Sequence, residues 1–119
     1  MKRILHIDDE PEIREILASC LQSQGHEVLS VATPTEAFQA IERVKPDLVI
    51  CDLQLDESDG LQTIDRLRLT LPEVPVILLT GVLLAPHIAR ETVQKRRLVY
   101  LEKTNPLQRI MDEVSRLLA

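Results

Sequence analysis

The sequence predicts an α/β fold, a parallel sheet between two layers of helices. Three observations predict it. Short apolar runs alternate with segments of helical periodicity, five times over in 119 residues. Two of the runs, Leu48 to Cys51 and Val76 to Leu79, are apolar throughout, as expected of central strands buried on both faces. Apolar residues make up 45% of the chain and aromatic residues only 2%, so one aliphatic core of Leu, Ile, Val and Ala suits the length.

The first strand is Ile4-Leu5-His6-Ile7. Ile13, Ile16, Leu17, Cys20 and Leu21 then recur at helical spacing, with Pro11 tolerable in the first turn and Gly25 closing the helix. A second strand runs from about Glu27 to Val31. Thr33-Pro34-Thr35-Glu36 starts a second helix: Thr33 can cap, Pro34 suits the first position and Glu36 completes a capping box. Its stripe is Ala37, Phe38, Ile41 and Val44. Lys45-Pro46-Asp47 reads as a turn into the third strand, Leu48 to Cys51. Gly60 opens a helix carrying Leu61, Ile64, Leu67 and Leu71. Val76 to Leu79 is the fourth strand. A weaker helix spans about Ala85 to Lys95, and Leu98-Val99-Tyr100-Leu101 is the fifth strand. Asn105-Pro106 starts the last helix, striped by Leu107, Ile110, Met111, Val114, Leu117 and Leu118.

Five βα units in one small chain imply a parallel sheet with helices on both faces, a (βα)5 three-layer sandwich. The flavodoxin-like strand order 2-1-3-4-5 is the economical arrangement; periodicity itself carries only the α/β class. No linker or internal repeat breaks the pattern, so residues 1–119 read as one domain. Fourteen Lys and Arg against nineteen Asp and Glu give net charge −5, which disfavours direct binding to nucleic acid. Cys20 and Cys51 form no disulfide framework or metal cluster and read as buried, reduced thiols. No signal peptide precedes the first strand, and no apolar stretch approaches the ~20 residues that span a bilayer. The expected location is the cytoplasm, away from membrane.

In a sheet of this kind ligands bind beyond the carboxyl ends of the strands. After the first run stand Asp8, Asp9 and Glu10; after the third, Asp52; after the fourth, Thr80 and Gly81; after the fifth, Glu102 and Lys103. Asp8, Asp9 and Asp52 would lie close together, and two carboxylates about 4 Å apart repel by roughly 4 kcal/mol at an effective dielectric of about 20. A divalent cation with hard oxygen ligands offsets that, and Mg²⁺ commonly takes one or two carboxylates, waters and phosphate oxygens. A lysine from the fifth strand would help, and the Thr80 hydroxyl can donate to an anionic oxygen. Taken singly, each residue has a plain structural explanation: a turn, a helix start, a surface lysine. The combination, in this order, is far less expected by chance.

Strand–Asp8-Asp9-Glu10, strand–Asp52 followed by Asp59-Gly60, strand–Thr80-Gly81 and strand–Glu102-Lys103 together resemble the receiver domain of two-component response regulators, along the whole chain from Arg3 to the last helix. The resemblance implies a signalling switch, enzymatic only toward its own aspartyl phosphate. Asp52 matches the phosphoacceptor, taking a phosphoryl group from a sensor histidine kinase or phosphotransfer protein. Asp9 matches the direct Mg²⁺ ligand, Asp8 its acidic neighbour acting largely through water, and Gln54 the residue whose backbone carbonyl completes the metal site. Lys103 matches the lysine that pairs with the phosphoryl group. Thr80 matches the switch hydroxyl and Tyr100 the switch aromatic, whose ring turns inward on activation. A downstream effector or fused output domain is implied, with room for a phosphorylation-dependent homodimer. The expected partner surface is the fourth helix, fifth strand and fifth helix, with Leu83, Leu84, Arg96 and Arg97 at or near it.

Two positions depart from the family pattern. Asp56 stands where a proline usually follows the phosphoacceptor by four residues, and Thr104 stands where a proline usually follows the lysine. That second proline supports a cis peptide in the family. Cis costs about 0.5–1 kcal/mol before proline and about 2.5–4 kcal/mol before other residues. The Lys103–Thr104 bond is therefore expected to be trans, with Lys103 reaching the site on its flexible stem. Three rival readings are weaker. A flavin-binding protein wants a hydroxyl- and glycine-rich loop after the first strand, where Asp8-Asp9-Glu10 would repel phosphate. An aspartyl-phosphate phosphatase wants a second Asp where Gln54 stands. A receiver-like interaction module that is not phosphorylated has no need of the full set Asp8, Asp9, Asp52, Thr80 and Lys103.

Overall fold

The structure is a computed structural model that describes residues 2–55 and 59–119. Five strands and five helices alternate along it: β1 (Arg3–Ile7), α1 (Pro11–Ser23), β2 (Glu27–Val31), α2 (Pro34–Ile41), β3 (Leu48–Cys51), α3 (Gly60–Thr70), β4 (Val76–Thr80), α4 (Pro86–Arg96), β5 (Val99–Glu102) and α5 (Leu107–Leu118). The strands form one parallel sheet in the order β2-β1-β3-β4-β5, the expected order. Because all five run the same way, their carboxyl ends share one edge.

Side chains alternate across each strand and so build two cores. On one face Leu5, Ile7, Val49, Cys51 and Leu78 pack with Ala37 and Ala40 of α2 and with Ile64 and Leu67 of α3. On the other, Ile4, Leu48, Ile50, Ile77 and Leu79 pack with Leu17 and Leu21 of α1 and with Ile110, Met111 and Val114 of α5. β3 and β4 are buried at every residue, which explains why they are apolar throughout up to Thr80 at the end of β4.

The helix ends follow their sequence signals. Gly25 adopts φ +89°, and α1 closes with Gly25 N–H donating to the Gln22 carbonyl (2.9 Å) and His26 N–H to the Leu21 carbonyl (3.2 Å). Those two bonds form a Schellman closure, whose left-handed residue favours glycine. Thr33 Oγ1 accepts from Glu36 N–H at the start of α2, and Asp59 Oδ1 accepts from Gln62 N–H at the start of α3. The peptide bonds of the described residues are all trans, including Lys103–Thr104, as expected.

Several sequence readings need correction. α2 ends at Ile41, so Val44 lies beyond the helix, although its amide still donates to the Ala40 carbonyl (2.9 Å). Ile16 is an exposed residue of α1, because the apolar stripe of that helix is wider than its contact with the sheet. Cys51 is buried but Cys20 only half-buried. Pro106 caps α5 instead of entering its first turn. Leu83 is 69% exposed, whereas Leu84 packs against the core. Asp56, at the first departure from the family pattern, lies outside the described residues.

Candidate functional site

The edge where β1, β3, β4 and β5 end carries the site. Pairing of Ile7 with Cys51 puts Asp8 and Asp52 side by side. The ladder runs past the strand ends: Asp8 N–H donates to the Val31 carbonyl (3.1 Å) and Asp52 N–H to the Ile7 carbonyl (2.9 Å). Lys103 N–H donates to the Thr80 carbonyl (2.8 Å), which brings β5 to the same place.

Asp8 is fully buried. Its Oδ1 accepts from Glu10 N–H (2.9 Å), and its backbone carbonyl accepts from Arg14 Nη1 (2.7 Å) one turn into α1. Asp52 is buried too, and its Oδ1 accepts from Gln54 N–H (3.3 Å). Gly60 seats the Asp52 backbone. Its N–H donates to the Leu53 carbonyl (2.6 Å), and a Cβ at Gly60 would fall 1.9 Å from the Asp52 carbonyl oxygen. Only glycine lets α3 approach β3 so closely.

Lys103 joins the carboxylates. Its Nζ lies 2.7 Å from Glu10 Oε1, 2.9 Å from Asp8 Oδ2 and 3.0 Å from Asp52 Oδ2. Burial opposes the lysine charge, but the contacts with Glu10, Asp8 and Asp52 outweigh it and hold the pKa above the ordinary lysine value. Burial also raises the Asp52 pKa, helped by the nearby Asp8 charge and opposed by Lys103 and the Gln54 amide. Asp52 is thus a desolvated carboxylate kept beside a cation, an arrangement suited to a nucleophile whose charge is about to be redistributed.

Asp8, Asp9, Glu10 and Asp52 each offer a carboxylate oxygen, and the four atoms lie within 4.8 Å of one another. Hard, anionic oxygen donors at that spacing fit Mg²⁺ in preference to a softer metal. An open cleft of about 440 Å³ exposes the cluster, with Gln54, Leu55, Gly81 and Val82 on its walls. That volume admits a phosphoryl group and its waters.

The remaining expected residues divide. Thr80 is fully buried at the end of β4, and its Oγ1 accepts from Val82 N–H (3.0 Å) and donates to the Val82 carbonyl (3.3 Å). Its hydroxyl therefore bonds its own loop. Tyr100 is not part of the carboxylate cluster: its hydroxyl accepts from Leu84 N–H (3.2 Å) and donates to the Val82 carbonyl (3.4 Å). Thr80 and Tyr100 thus grip the same residue, Val82, from two strands.

Three features escaped sequence reasoning. Glu10 reads as one more acid in a run, yet it makes the shortest contact to Lys103. Gly60 reads as a helix opener, yet its lack of a Cβ is what admits the Asp52 backbone. His6 reads as a member of an apolar strand, yet it is a fully buried imidazole with neither nitrogen hydrogen-bonded within the described residues. Its Nε2 lies 3.8 Å from Asp8 Oδ2, and burial lowers its pKa to about 4 despite that carboxylate. In Gly60 alone was there a signal: a glycine directly after a capping Asp has no need to be glycine for the helix alone.

Residues 4–115 match the response regulator receiver domain. The transcriptional regulatory protein GlrR of Escherichia coli is 37% identical over 78 residues, which are 66% of this chain and 18% of that protein. The chain spans less than a fifth of that relative. The response regulator TrrA of Thermotoga maritima, solved in complex with Mg²⁺-BeF, superposes with TM-score 0.84 at 31% identity, over 99% of this chain and 100% of that one. TrrA in complex with the histidine kinase ThkA superposes with TM-score 0.86 at 30% identity, over the whole of both chains.

Proposed function

The chain belongs to the response regulator receiver domain family of two-component systems, and on that premise we propose that it is a phosphorylation switch whose acceptor is Asp52. The observation that carries the reading is the Asp52 carboxylate, desolvated, 3.0 Å from Lys103 Nζ and open to a cleft that admits a phosphoryl group. The donor is a phosphohistidine on a partner kinase or phosphotransfer protein, and TrrA's complex with a histidine kinase supports that class of partner.

In the transfer, a carboxylate oxygen of Asp52 attacks phosphorus in line with the histidine nitrogen. The O–P bond forms as the N–P bond breaks, and the electron pair of that bond stays on the imidazole. Lys103 donates to the transferring oxygens, and the Thr80 hydroxyl rotates from Val82 to do the same; both stabilise charge spread over the phosphoryl group. When bound, Mg²⁺ would supply further charge neutralisation, held by Asp9, Asp52 and the Gln54 backbone carbonyl, with Asp8 acting largely through water. The Mg²⁺-BeF complex of TrrA and the four-carboxylate cluster support that assignment.

Rotation of Thr80 frees Val82, and Val82 is also the acceptor for Tyr100. Loss of the first grip weakens the second, so Tyr100 turns inward and the β4–α4 loop moves. The face formed by α4, β5 and α5, with exposed Leu83 beside it, is then the surface read by an effector, an output domain or a second copy of the chain. Residues 1–119 act as one receiver unit in the cytoplasm, with no direct role for nucleic acid or membrane; no described helix is long and apolar enough to cross a membrane.

The test is Asp52→Asn. Wild-type protein incubated with acetyl phosphate and Mg²⁺ should gain one phosphoryl group by intact mass, and the variant none, with an unchanged circular dichroism spectrum. Labelling retained in a folded variant would refute the assignment.

A further inference from the structure

Building on the phosphorylation reading, we propose that Glu10 is a positioning residue that holds one donor of Lys103 and releases it to the incoming phosphoryl group. An ammonium has three N–H donors. Lys103 Nζ donates to Glu10 (2.7 Å) and Asp52 (3.0 Å) and forms an ion pair with Asp8 Oδ2 (2.9 Å), so carboxylates surround it on three sides. A phosphoryl oxygen on Asp52 has to enter this shell of carboxylates to reach the lysine, and one contact has to yield.

Exposure decides which. The Asp8 side chain is 1% exposed, and breaking its contact would cost a buried carboxylate its direct contact with a cation. The Glu10 side chain is 58% exposed and can turn into solvent, where water replaces the lysine at small cost. The Asp52 contact lies on the reacting group and passes to its phosphoryl oxygens. Glu10 is therefore the partner exchanged. Its bond favours the unphosphorylated arrangement, keeps the lysine aimed at the cleft and sets how readily the lysine follows the phosphoryl group. This differs from a metal-ligand role, although Glu10 lies within reach of the same cluster.

Two variants separate the tether from its rivals. Glu10→Gln removes the charge, while Glu10→Asp keeps the charge but is shorter by one carbon–carbon bond, roughly 1.5 Å. Both should speed phosphorylation by subsaturating acetyl phosphate at fixed Mg²⁺, by about two- to fivefold, the effect of losing one exposed ion pair. Selective ¹⁵N-lysine spectra supply a readout independent of phosphorylation, with the Lys103 signal assigned by its absence in Lys103→Arg. That signal should differ between wild type and both variants in the free protein, and coincide among them once beryllofluoride and Mg²⁺ are added, because Glu10 has by then let go. Acceleration in Glu10→Gln alone would mean that Glu10 merely repels the anionic donor. A severalfold loss of Mg²⁺ affinity in both variants would make Glu10 a metal ligand. Either result overturns the proposal, as does a Lys103 signal that still differs after beryllofluoride. If wild type is labelled and both variants match its rate, the tether alone falls. If wild type takes up no phosphoryl group, the phosphorylation reading fails first, and the tether with it.

Discussion

His6 sits in the middle of β1, pointing by alternation toward the α1–α5 core, fully buried and with neither ring nitrogen hydrogen-bonded within the described residues. A neutral imidazole can be buried there at modest cost; an imidazolium cannot. Its pKa falls to about 4 from the ordinary 6.5, chiefly through burial. Between those values the unfolded chain binds a proton that the folded chain refuses, so unfolding is favoured as pH falls. The His6 contribution is fully present above about pH 6.5 and is lost as pH drops to about 4, a change on the order of 3 kcal/mol. Asp52, whose pKa is raised, acts with the opposite sign, and is common to wild type and variant. Chemical denaturation at pH 7.5 and pH 4.5 should therefore show a smaller acid loss in His6→Leu than in wild type; equal losses would contradict the assignment. That Asp8, Asp9, Asp52 and Lys103 meet at one edge was legible because strand ends can be counted. His6 and Glu10 were not, because burial and pairing distance depend on which strands become neighbours.

At the scale of elements, the junction of β3 with α3 depends on Gly60. A Cβ there would lie 1.9 Å from the Asp52 carbonyl oxygen, and that backbone cannot give way without dragging Asp52 with it. Gly60→Ala should cost at least the roughly 1–3 kcal/mol typical of overpacking, and should also slow labelling of Asp52. Gly81→Ala is the control: its Cβ would meet only Lys103 Cδ at 3.8 Å, an ordinary contact. Urea denaturation and phosphorylation rates of the two variants check both halves; a stable, normally labelled Gly60→Ala would show that the junction is softer than its geometry. Element positions were largely legible in the sequence, since β2 runs from Glu27 to Val31 as expected and both apolar central strands fall where their composition puts them. Element ends were less so. Val44 keeps the helical spacing of α2 and even a helix-like bond to Ala40, but Pro46 follows two residues later and the chain must straighten to enter β3. Ile16 and Leu83 match apolar patterns, yet they stay 51% and 69% exposed.

On the scale of the whole molecule, two aliphatic cores hold a sheet whose one edge gathers like charges. The cores stabilise the fold irrespective of ligand, whereas the edge works against it: Asp8 and Asp52 are buried carboxylates, and Lys103 with its three partners only partly offsets their repulsion. A cation and a phosphoryl mimic bound at that edge would relieve the repulsion in the folded state alone, since the unfolded chain scatters the four carboxylates. Ligands that bind only the folded state stabilise it by mass action, by about 2.7 kcal/mol at a hundred times the dissociation constant. For a domain of this length that corresponds to a rise in Tm of roughly 10 °C. Mg²⁺ with beryllofluoride should raise Tm by about that amount in wild type. Mg²⁺ alone should raise it less, because the site fills poorly without the anion. Asp9→Ala should lose most of the response to Mg²⁺, and Asp52→Asn the response to beryllofluoride, while each variant alone melts no lower than wild type, having shed one charge from the edge. Differential scanning calorimetry of the three proteins decides it. A variant that melts well below wild type would mean that the acidic edge supports the fold instead of straining it, and that the site is structural in origin.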